Sequence, residues 1–244
     1  MIMRKVKFEV GKYYHICNRG VDKRNIFNSD ADKWRFLQGL FLFNDENRLL
    51  NTLYQIEKEN QGKINFNLLK DFVDRNIENR NPLVRILADC LMPNHYHFLL
   101  EEIKEGGISN FMQKMGGYTT FFNRKNNREG SLFQGPFKAT EIKNDIQLQY
   151  ILAYINVINP GQLVKHNLKE VGVENMEELE RIFNFAKEYS FSTNPDYLGI
   201  RDSFIIEKGM YEEFFPTPEK YEEFIRTVLL SKYRNIDDNL TLEN

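Results

Sequence analysis

Residues 83–101, LVRILADCLMPNHYHFLLE, are the most informative run of the chain. Two apolar segments flank Pro93 and Asn94, and both residue types are common in tight turns. Short apolar runs bounded by such residues are typical of buried β-strands. We therefore expect two neighbouring strands here, joined by a tight turn.

The second of these strands carries two of the four histidines of the chain, in the order His95-Tyr96-His97. Side chains alternate between the faces of a strand, so both imidazoles project to one side, about 7 Å apart. Two imidazoles at that spacing can share a metal ion if further ligands complete the site. The alternative interpretation is a pair of partly exposed histidines without a ligand role.

The segments around this pair of strands predict a mixed order of strands and helices. Residues 12–20, KYYHICNRG, alternate apolar and polar side chains and predict a strand that runs into a loop. Apolar residues at helical spacing predict one helix over residues 29–44 and another over residues 108–122, the second with a glycine pair inside it. Residues 45–81 are polar and rich in asparagine, and we interpret them as a peripheral helical insertion.

A long apolar segment, residues 146–159, stops at Pro160 and predicts a buried helix that ends just before the proline. Tyr150 and Tyr154 lie four residues apart, so they share one face of this helix. A tyrosine can act as a covalent nucleophile when a base or a metal promotes its deprotonation. The alternative is that both tyrosines are core aromatics whose hydroxyl groups find hydrogen-bond partners. Beyond the proline, apolar periodicity predicts a helical C-terminal appendage.

A basic segment lies between the histidine pair and the tyrosine pair. Residues 111–143 contain six cationic and two anionic side chains, in a chain whose net charge is −2. Phenylalanines are interleaved with these cations, a mixture that a groove for single-stranded nucleic acid would use. A solvated helix face followed by a buried hairpin is the alternative interpretation.

Composition excludes several classes of protein. The 244 residues are 41% hydrophobic and 28% charged, which is not typical of a disordered chain. No run of eighteen apolar residues occurs, so we expect no membrane span. Cys17 and Cys90 cannot form a disulfide framework, and we expect two reduced thiols in a cytoplasmic protein. The slightly negative net charge argues against a protein that coats nucleic acid indiscriminately.

Taken together, four segments resemble the REP-associated tyrosine transposases, a branch of the HUH single-strand (Y1) transposases. They are, in chain order, YYHICNRGVDKRNIF at 13–27, LMPNHYHFLL at 91–100, QKMGGYTTFFNRKNNREGSLFQGPFKA at 113–139 and AYINVINPGQLV at 153–164. The resemblance extends over about residues 10–235. It implies an α+β fold with a central antiparallel sheet, ferredoxin-like, with helices on one face. It further implies a catalytic domain at 1–165, interrupted by the insertion at 45–81, and a helical extension at 166–244.

The resemblance also implies a reaction. His95 and His97 would bind Mg²⁺ or Mn²⁺, which would polarise the scissile phosphate of single-stranded DNA. Tyr154, with Tyr150 in reserve, would attack the phosphorus and leave a 5′-phosphotyrosine on hairpin DNA. The implied activity is that of a transposase-like endonuclease and strand transferase. Two alternatives are a hairpin-binding protein that has lost cleavage and a phosphodiesterase that uses water as the nucleophile.

One departure from the family pattern concerns the third metal ligand. The family usually has Y-x-x-x-N-P, which sets an asparagine one helical turn after the tyrosine. Here Asn159 follows Tyr154 by five residues, so it reaches the metal only if the helix loosens or bulges before Pro160. Asn156, two residues after the tyrosine, is a poorer candidate.

The remaining expectations concern DNA contacts and assembly. In the family the loop after the first strand, here Asn18, Arg19 and Gly20, belongs to the surface that reads DNA. We expect further contacts to phosphate from basic side chains, namely Arg124, Lys125 and Lys138. We expect His15 to be packed or DNA-facing, and His166 to lie on the surface. The long C-terminal appendage favours a monomer over a homodimer.

Overall fold

The computed structural model describes residues 6–47, 52–62, 64–77 and 80–230. One four-stranded sheet lies at its centre, in the spatial order β2-β3-β1-β4, and every neighbouring pair is antiparallel. Its strands are β1 Tyr13–Arg19, β2 Val84–Met92, β3 His95–Glu102 and β4 Lys138–Ile142. The predicted α+β fold with a central antiparallel sheet is therefore confirmed, and its strand and helix order is that of a ferredoxin-like split βαβ unit.

The hairpin of β2 and β3 is the part of the sheet that the sequence predicted most directly. The two strands pair from Val84↔Glu102 to Met92↔His95, and Pro93 and Asn94 form the turn between them. Residues on both strands are almost wholly buried. The hydrophobic character of both runs follows from this burial, because each strand is covered on both of its faces.

Three helices pack on the first face of the sheet: α1 Asp30–Phe43, α4 Gly107–Met115 and α5 Tyr118–Lys125. The ring of Phe36 lies 5.3 Å from that of Tyr96 and 6.1 Å from that of Phe98. The insertion is helical as predicted, with α2 Thr52–Glu59 and α3 Phe66–Asn76, and its apolar side chains join the same core.

The single helix predicted over residues 108–122 is wrong, because the chain forms two helices that meet at Gly116 and Gly117. The N–H of Gly117 donates to the carbonyl of Lys114, three residues earlier, at 3.1 Å. Thr120 N–H likewise donates to Gly117, three residues earlier. Such i→i+3 bonds tighten the turn and redirect the axis, so the glycine pair ends one helix and begins the next.

The second face of the sheet is covered by the C-terminal part of the chain. The helix nearest the sheet, named here the tyrosine helix, consists of α6 Asp145–Ala153, a π-turn Tyr154–Ile158 and α7 Asn159–Gly161. The following helices are α8 Leu168–Val171, α9 Met176–Glu188, α10 Asn194–Tyr197, α11 Tyr211–Phe214 and α12 Pro218–Leu230. None of the helices within the described ranges combines the length and the apolarity needed to cross a membrane.

The prediction that the tyrosine helix ends before Pro160 is wrong, because the backbone stays helical to Gly161. A proline inside an α-helix loses one hydrogen bond and its ring clashes with the carbonyl four residues earlier. The π-turn directly before Pro160 widens the helix, and this moves that carbonyl away from the ring.

The extension beyond residue 165 shares its core with the sheet. Leu91 N–H donates to Phe191 O at 2.8 Å and Thr193 N–H donates to Asp89 O at 3.1 Å, so the extension lines the β2 edge. Buried side chains from the sheet, the tyrosine helix, α9 and α12 form one apolar cluster. The extension therefore closes the second face, and the domain boundary at residue 165 stays a prediction.

Candidate active site

Alternate residues of β1 and β3 bring polar side chains together on the second face of the sheet. Cys17 pairs with His97 and Arg19 pairs with His95 in the antiparallel register. Side chains at paired positions project to the same side of a sheet. His15, two residues before Cys17, therefore lies on this face as well. The prediction that the two histidines of HYH share a face is consistent with this register.

A neighbouring amide sets the orientation of the His95 imidazole. His95 Nδ1 lies 2.6 Å from Asn94 Oδ1, and Asn94 Nδ2 donates to Lys23 O at 3.1 Å. Because the amide nitrogen of Asn94 is committed to that carbonyl, its oxygen faces His95. The proton of a neutral His95 therefore sits on Nδ1, and its lone pair sits on Nε2, the form in which imidazole binds a metal.

His97 is buried and is paired with a second histidine, His15. His15 Nε2 lies 2.8 Å from His97 Nδ1, and each side chain is 1% exposed. Burial lowers the pKa of His15 to about 3 and the pKa of His97 well below its ordinary value. Both imidazoles are therefore neutral at pH 7. When His97 Nδ1 donates to His15, Nε2 of His97 carries the lone pair.

The same face also holds a thiol. The ligand atoms of His15, Cys17 and His97 all lie within 4.8 Å of one another, and all three side chains are buried. Two imidazoles and a thiol form a donor set that suits Zn²⁺ and other soft or borderline metals. This cluster was not predicted from the sequence. The alternation of His15 and Cys17 along β1 was the available signal, but it becomes a cluster only through pairing with β3.

The chemistry of the histidine pair bears on the expected cofactor. Imidazole nitrogens suit transition metals, whereas Mg²⁺ prefers oxygen ligands and keeps several waters. The donors His95 and His97 therefore fit Mn²⁺ better than Mg²⁺. Any divalent ion held by these two side chains needs further oxygen ligands from the protein, the substrate or water.

Tyr154 packs directly against the two buried histidines. Its ring centroid lies 5.4 Å from that of His97 and 6.1 Å from that of His15, in both cases edge to face. The side chain is 3% exposed, and Lys169 Nζ lies 5.5 Å from the ring centroid. Tyr150, one turn earlier, is half-buried, and burial raises its pKa to about 12, which disfavours its deprotonation.

The π-turn absorbs the extra residue between Tyr154 and Asn159. Asn159 N–H donates to Tyr154 O, five residues earlier, so the two residues lie one wide turn apart. The same turn directs Asn156 into the extension, where Asn156 Nδ2 donates to Tyr221 Oη at 2.9 Å. Thr193 Oγ1 donates to Asn156 Oδ1 at 2.7 Å. Both bonds connect Asn156 to the extension.

A cavity of about 770 Å³ opens beside the histidines. Its walls include three of the predicted DNA contacts, namely Asn18, Arg19 and Lys138, together with His95 and His97. Gln162 and His166, which follow the tyrosine helix, line it too. Tyr154 is buried against the imidazoles instead of forming part of this wall. Gln162 was not predicted as a site residue, because glutamine carries no motif of its own.

Arg124 and Lys125 lie on a different surface. They border a second cavity of about 870 Å³ between α5 and α2, on the first face of the sheet. Lys125 Nζ donates to the buried carboxylate of Asp32 at 2.6 Å. The structure therefore separates these two predicted contacts from the three that surround the histidines.

Comparisons with known proteins agree with the resemblance deduced from the motifs. Residues 67–157, less than half of the chain, match the family of IS200-like transposases. A solved structure of a REP-associated tyrosine transposase bound to a REP hairpin aligns at a TM-score of 0.44 with 14% identity, covering 85% of this chain and 97% of that chain. That likeness is too distant to carry residue roles. No curated protein matches the chain. Residues 67–157 of this chain thus match the IS200-like transposases, in agreement with the resemblance found in the motifs.

Proposed function

We propose that this protein is a metal-dependent endonuclease and strand transferase that acts on single-stranded hairpin DNA through a phosphotyrosine. The observation that carries the proposal is the packing of Tyr154 against His97, 5.4 Å between ring centroids, beside a cavity that His95 and His97 line. A helix-borne tyrosine and two strand-borne imidazoles thus converge within one chain. The match to IS200-like transposases supports a DNA-cleaving activity of this kind.

Tyr154 supplies the nucleophile in this reaction. Its Oη forms a bond to the phosphorus while the bond from phosphorus to the 3′ oxygen breaks. The leaving oxygen takes the electron pair and ends as a 3′-hydroxyl, which accounts for the proton lost from the tyrosine. The 5′-phosphate stays on Tyr154 until a second 3′-hydroxyl attacks it, so rejoining needs no nucleotide cofactor.

His95 and His97 would hold the metal ion, and Mn²⁺ or Mg²⁺ bound there would supply Lewis-acid polarisation of the scissile phosphate. Asn94 Oδ1, 2.6 Å from His95 Nδ1, favours the tautomer of His95 that offers Nε2, and His97 offers its Nε2 when its Nδ1 donates to His15 at 2.8 Å. Both imidazoles are thereby oriented before any ion arrives.

Hairpin DNA enters through the cavity that Asn18, Arg19 and Lys138 line. Lys138 is exposed and brings a positive charge to a phosphate without reading sequence. Asn18 Nδ2 donates to Gly135 O at 3.0 Å and Arg19 Nε donates to Gln134 Oε1 at 2.5 Å. These bonds join the loop after β1 to the segment before β4, which form two walls of the cavity.

Assembly as a monomer is part of the proposal. Tyr154 packs against the histidines of its own chain, and this supports a site formed within one chain. Location in the cytoplasm remains an expectation from the sequence.

A hairpin-binding protein without cleavage is the second candidate, and the burial of Tyr154 is the observation that favours it. A tyrosine that is 3% exposed must move to meet a phosphate in the cavity. The longer spacing before Asn159, which favoured this candidate on sequence grounds, is absorbed by the π-turn.

The deciding experiment is a denaturing protein gel of the chain incubated with single-stranded hairpin oligonucleotides and Mn²⁺ or EDTA. We expect a metal-dependent shift of the 29.1 kDa band that Tyr154→Phe removes. Tyr150→Phe is the matched control, because it removes a hydroxyl one turn away, and it should retain the shift. Hairpin binding without a shifted band in the unmodified chain would establish the binding protein instead.

A further inference from the structure

The cavity beside the histidines contains several side-chain amides whose oxygens are already used. Asn94 Oδ1 lies against His95 Nδ1 at 2.6 Å, and Asn18 Oδ1 accepts from Arg19 N–H at 2.9 Å. Gln134 Oε1 accepts from Arg19 Nε at 2.5 Å. A metal ion held by two imidazoles needs oxygen ligands, and these three oxygens are committed to other partners.

Gln162 differs from these amides in its hydrogen bonding. It is half-buried at the end of the tyrosine helix, and its Nε2 donates to Asn159 Oδ1 at 3.1 Å. This bond engages the nitrogen of the amide and leaves the oxygen to face elsewhere. Because Gln162 lines the same cavity as His95 and His97, its Oε1 is an oxygen available to that space.

Asn159 has the opposite arrangement. Its side chain is 0% exposed, and its Oδ1 accepts the bond from Gln162. The group that remains is Nδ2, which is buried without a hydrogen-bond partner in the described part of the chain. An amide –NH₂ offers only protons and cannot bind a cation. Asn159 in this orientation is therefore not a metal ligand.

We infer that Gln162 Oε1 is the protein oxygen that joins His95 and His97 at the metal, and that Asn159 is a positioning residue for it. The inference rests on the proposed function, since it concerns the same metal site. Asn159 and Gln162 are three residues apart and lie on the same helical turn, directly after the π-turn. Gln162 N–H donates to Ile158 O and to Asn159 O at 3.1 Å each. Gln162 thus takes the ligand position that the sequence pattern assigned to Asn159.

The opposite pairing of the two amides makes a different prediction. The two ends of an amide are assigned from their hydrogen bonds. If both amides were turned over, Asn159 Nδ2 would donate to Gln162 Oε1 and Asn159 Oδ1 would be the available oxygen. Metal binding by single variants distinguishes these two pairings.

The experiment measures Mn²⁺ binding to the full chain without DNA, from the electron paramagnetic resonance signal of free Mn²⁺. Gln162→Ala should weaken binding by about tenfold or more, since a ligand is lost, and Gln162→Glu should retain it. Asn159→Ala should weaken binding less than Gln162→Ala does. Gln162→Glu should restore binding in an Asn159→Ala background, because a carboxylate binds through either oxygen. Asn25→Ala is the control, since Asn25 lines the same cavity, is exposed, and should leave the affinity within about twofold.

Three outcomes would overturn the inference. Loss of binding in Asn159→Ala with normal binding in Gln162→Ala would make Asn159 the ligand. Binding that depends on His97 but on neither amide would leave the proposed metal site intact and exclude Gln162. An unmodified chain that binds no Mn²⁺ would overturn the metal site and this inference together. Circular dichroism of each variant shows whether its fold is retained.

Discussion

The two faces of the sheet are built from alternate residues of the same strands, yet they have opposite chemistry. Toward α1, strand β3 presents Tyr96 and Phe98, whose rings pack around Phe36 at 5.3 and 6.1 Å. Toward the tyrosine helix, the same strand presents His95 and His97. Both faces are buried, so burial does not separate them. The first face packs against its covering layer through apolar contacts, whereas the second places imidazoles beside a cavity with polar and charged walls.

This comparison teaches that adjacent positions on one strand have separate roles. A change on the first face should alter the free energy of unfolding, and a change on the second should alter chemistry or metal affinity.

Loss of the Tyr154 hydroxyl should have the largest effect on activity. Tyr154→Phe keeps the ring against His97 and removes the nucleophile, so strand cleavage should fall by at least about a thousandfold. The free energy of unfolding should change by only about 1 kcal/mol, the contribution of one hydrogen bond. Single-turnover cleavage of a labelled hairpin and urea denaturation measure the two quantities. Residual adduct formation at more than one hundredth of the original rate would assign the nucleophile to another residue.

Phe98→Ala should lower the free energy of unfolding rather than alter the chemistry of the second face. Phe98 is 0% exposed on the first face, and removing a buried ring of this kind costs about 3 to 5 kcal/mol of unfolding free energy. His97→Gln, one residue away on the opposite face, should lower Mn²⁺ affinity by at least about tenfold with a smaller change in stability. Urea titration and Mn²⁺ binding of both variants measure these effects. Equal destabilisation by the two variants would contradict the division between faces.

A buried acid on the first face predicts a pH dependence of stability. Asp89 on β2 lies opposite Phe98, and burial raises its pKa from 3.8 to about 7, although Arg201 lowers it in part. Because the folded state then binds more protons than the unfolded state between these two values, stability should fall as pH rises through that window. Asp89→Asn cannot ionise, so it should be more stable than the original above pH 7, by at most roughly 4 kcal/mol.

The measurement for Asp89 is urea denaturation of both proteins at several pH values. Below pH 4 the difference between the two proteins should nearly vanish, because Asp89 is protonated in both states there. A constant difference across the whole range would show that the carboxyl group does not titrate as its burial implies.

Removal of Asn156 should have a moderate effect that links the extension to the tyrosine helix. Asn156 bonds to Tyr221 and to Thr193, so Asn156→Ala leaves their buried hydroxyl groups with fewer partners. The expected loss is about 1 to 3 kcal/mol of unfolding free energy. Hydrogen exchange of residues 154–158 should also become faster. Unchanged exchange there would mean that the π-turn does not depend on the extension.

The smallest effects are expected from single basic side chains, Lys138 beside the histidines and Arg124 on the first face. Lys138→Ala should lower the dependence of hairpin binding on salt by about 0.7 in log–log slope, the value for one phosphate contact on a single strand. Arg124→Ala, on α5, should change that slope much less because Arg124 borders the other cavity. Fluorescence anisotropy at several salt concentrations measures both slopes. A larger effect of Arg124→Ala would place the DNA on the first face.

Local patterns in the chain were sufficient to predict the hairpin and the histidine pair. Strand alternation has a period of two residues, so residues 95–97 alone place both imidazoles on one side. The N-terminal cap of α1 was predictable because its contacts are also local in the sequence. Ser29 N–H donates to the carboxylate of Asp32, three residues later, at 3.1 Å. The resemblance to the transposase family likewise rests on short local motifs.

The partners of those histidines were not predictable in the same way. His15 and His97 are separated by 82 residues, and their 2.8 Å contact depends on the antiparallel register of β1 and β3. Pro160 predicted the end of a helix, because its local effect in an α-helix is to stop it. Packing of the tyrosine helix between the sheet and the extension instead favours a π-turn that lets the helix pass the proline.

The sequence by itself determined the alternation of the strands, the positions of the turns and the types of reactive side chain. These properties depend on interactions between residues that are close in the sequence, so they do not require the rest of the fold. The tertiary structure alone decided that His15 orients His97, that Asn156 faces the extension and that Gln162 faces the cavity. Each of these outcomes depends on which distant surfaces meet, because hydrogen bonds act over about 3 Å and only the folded chain brings such groups that close.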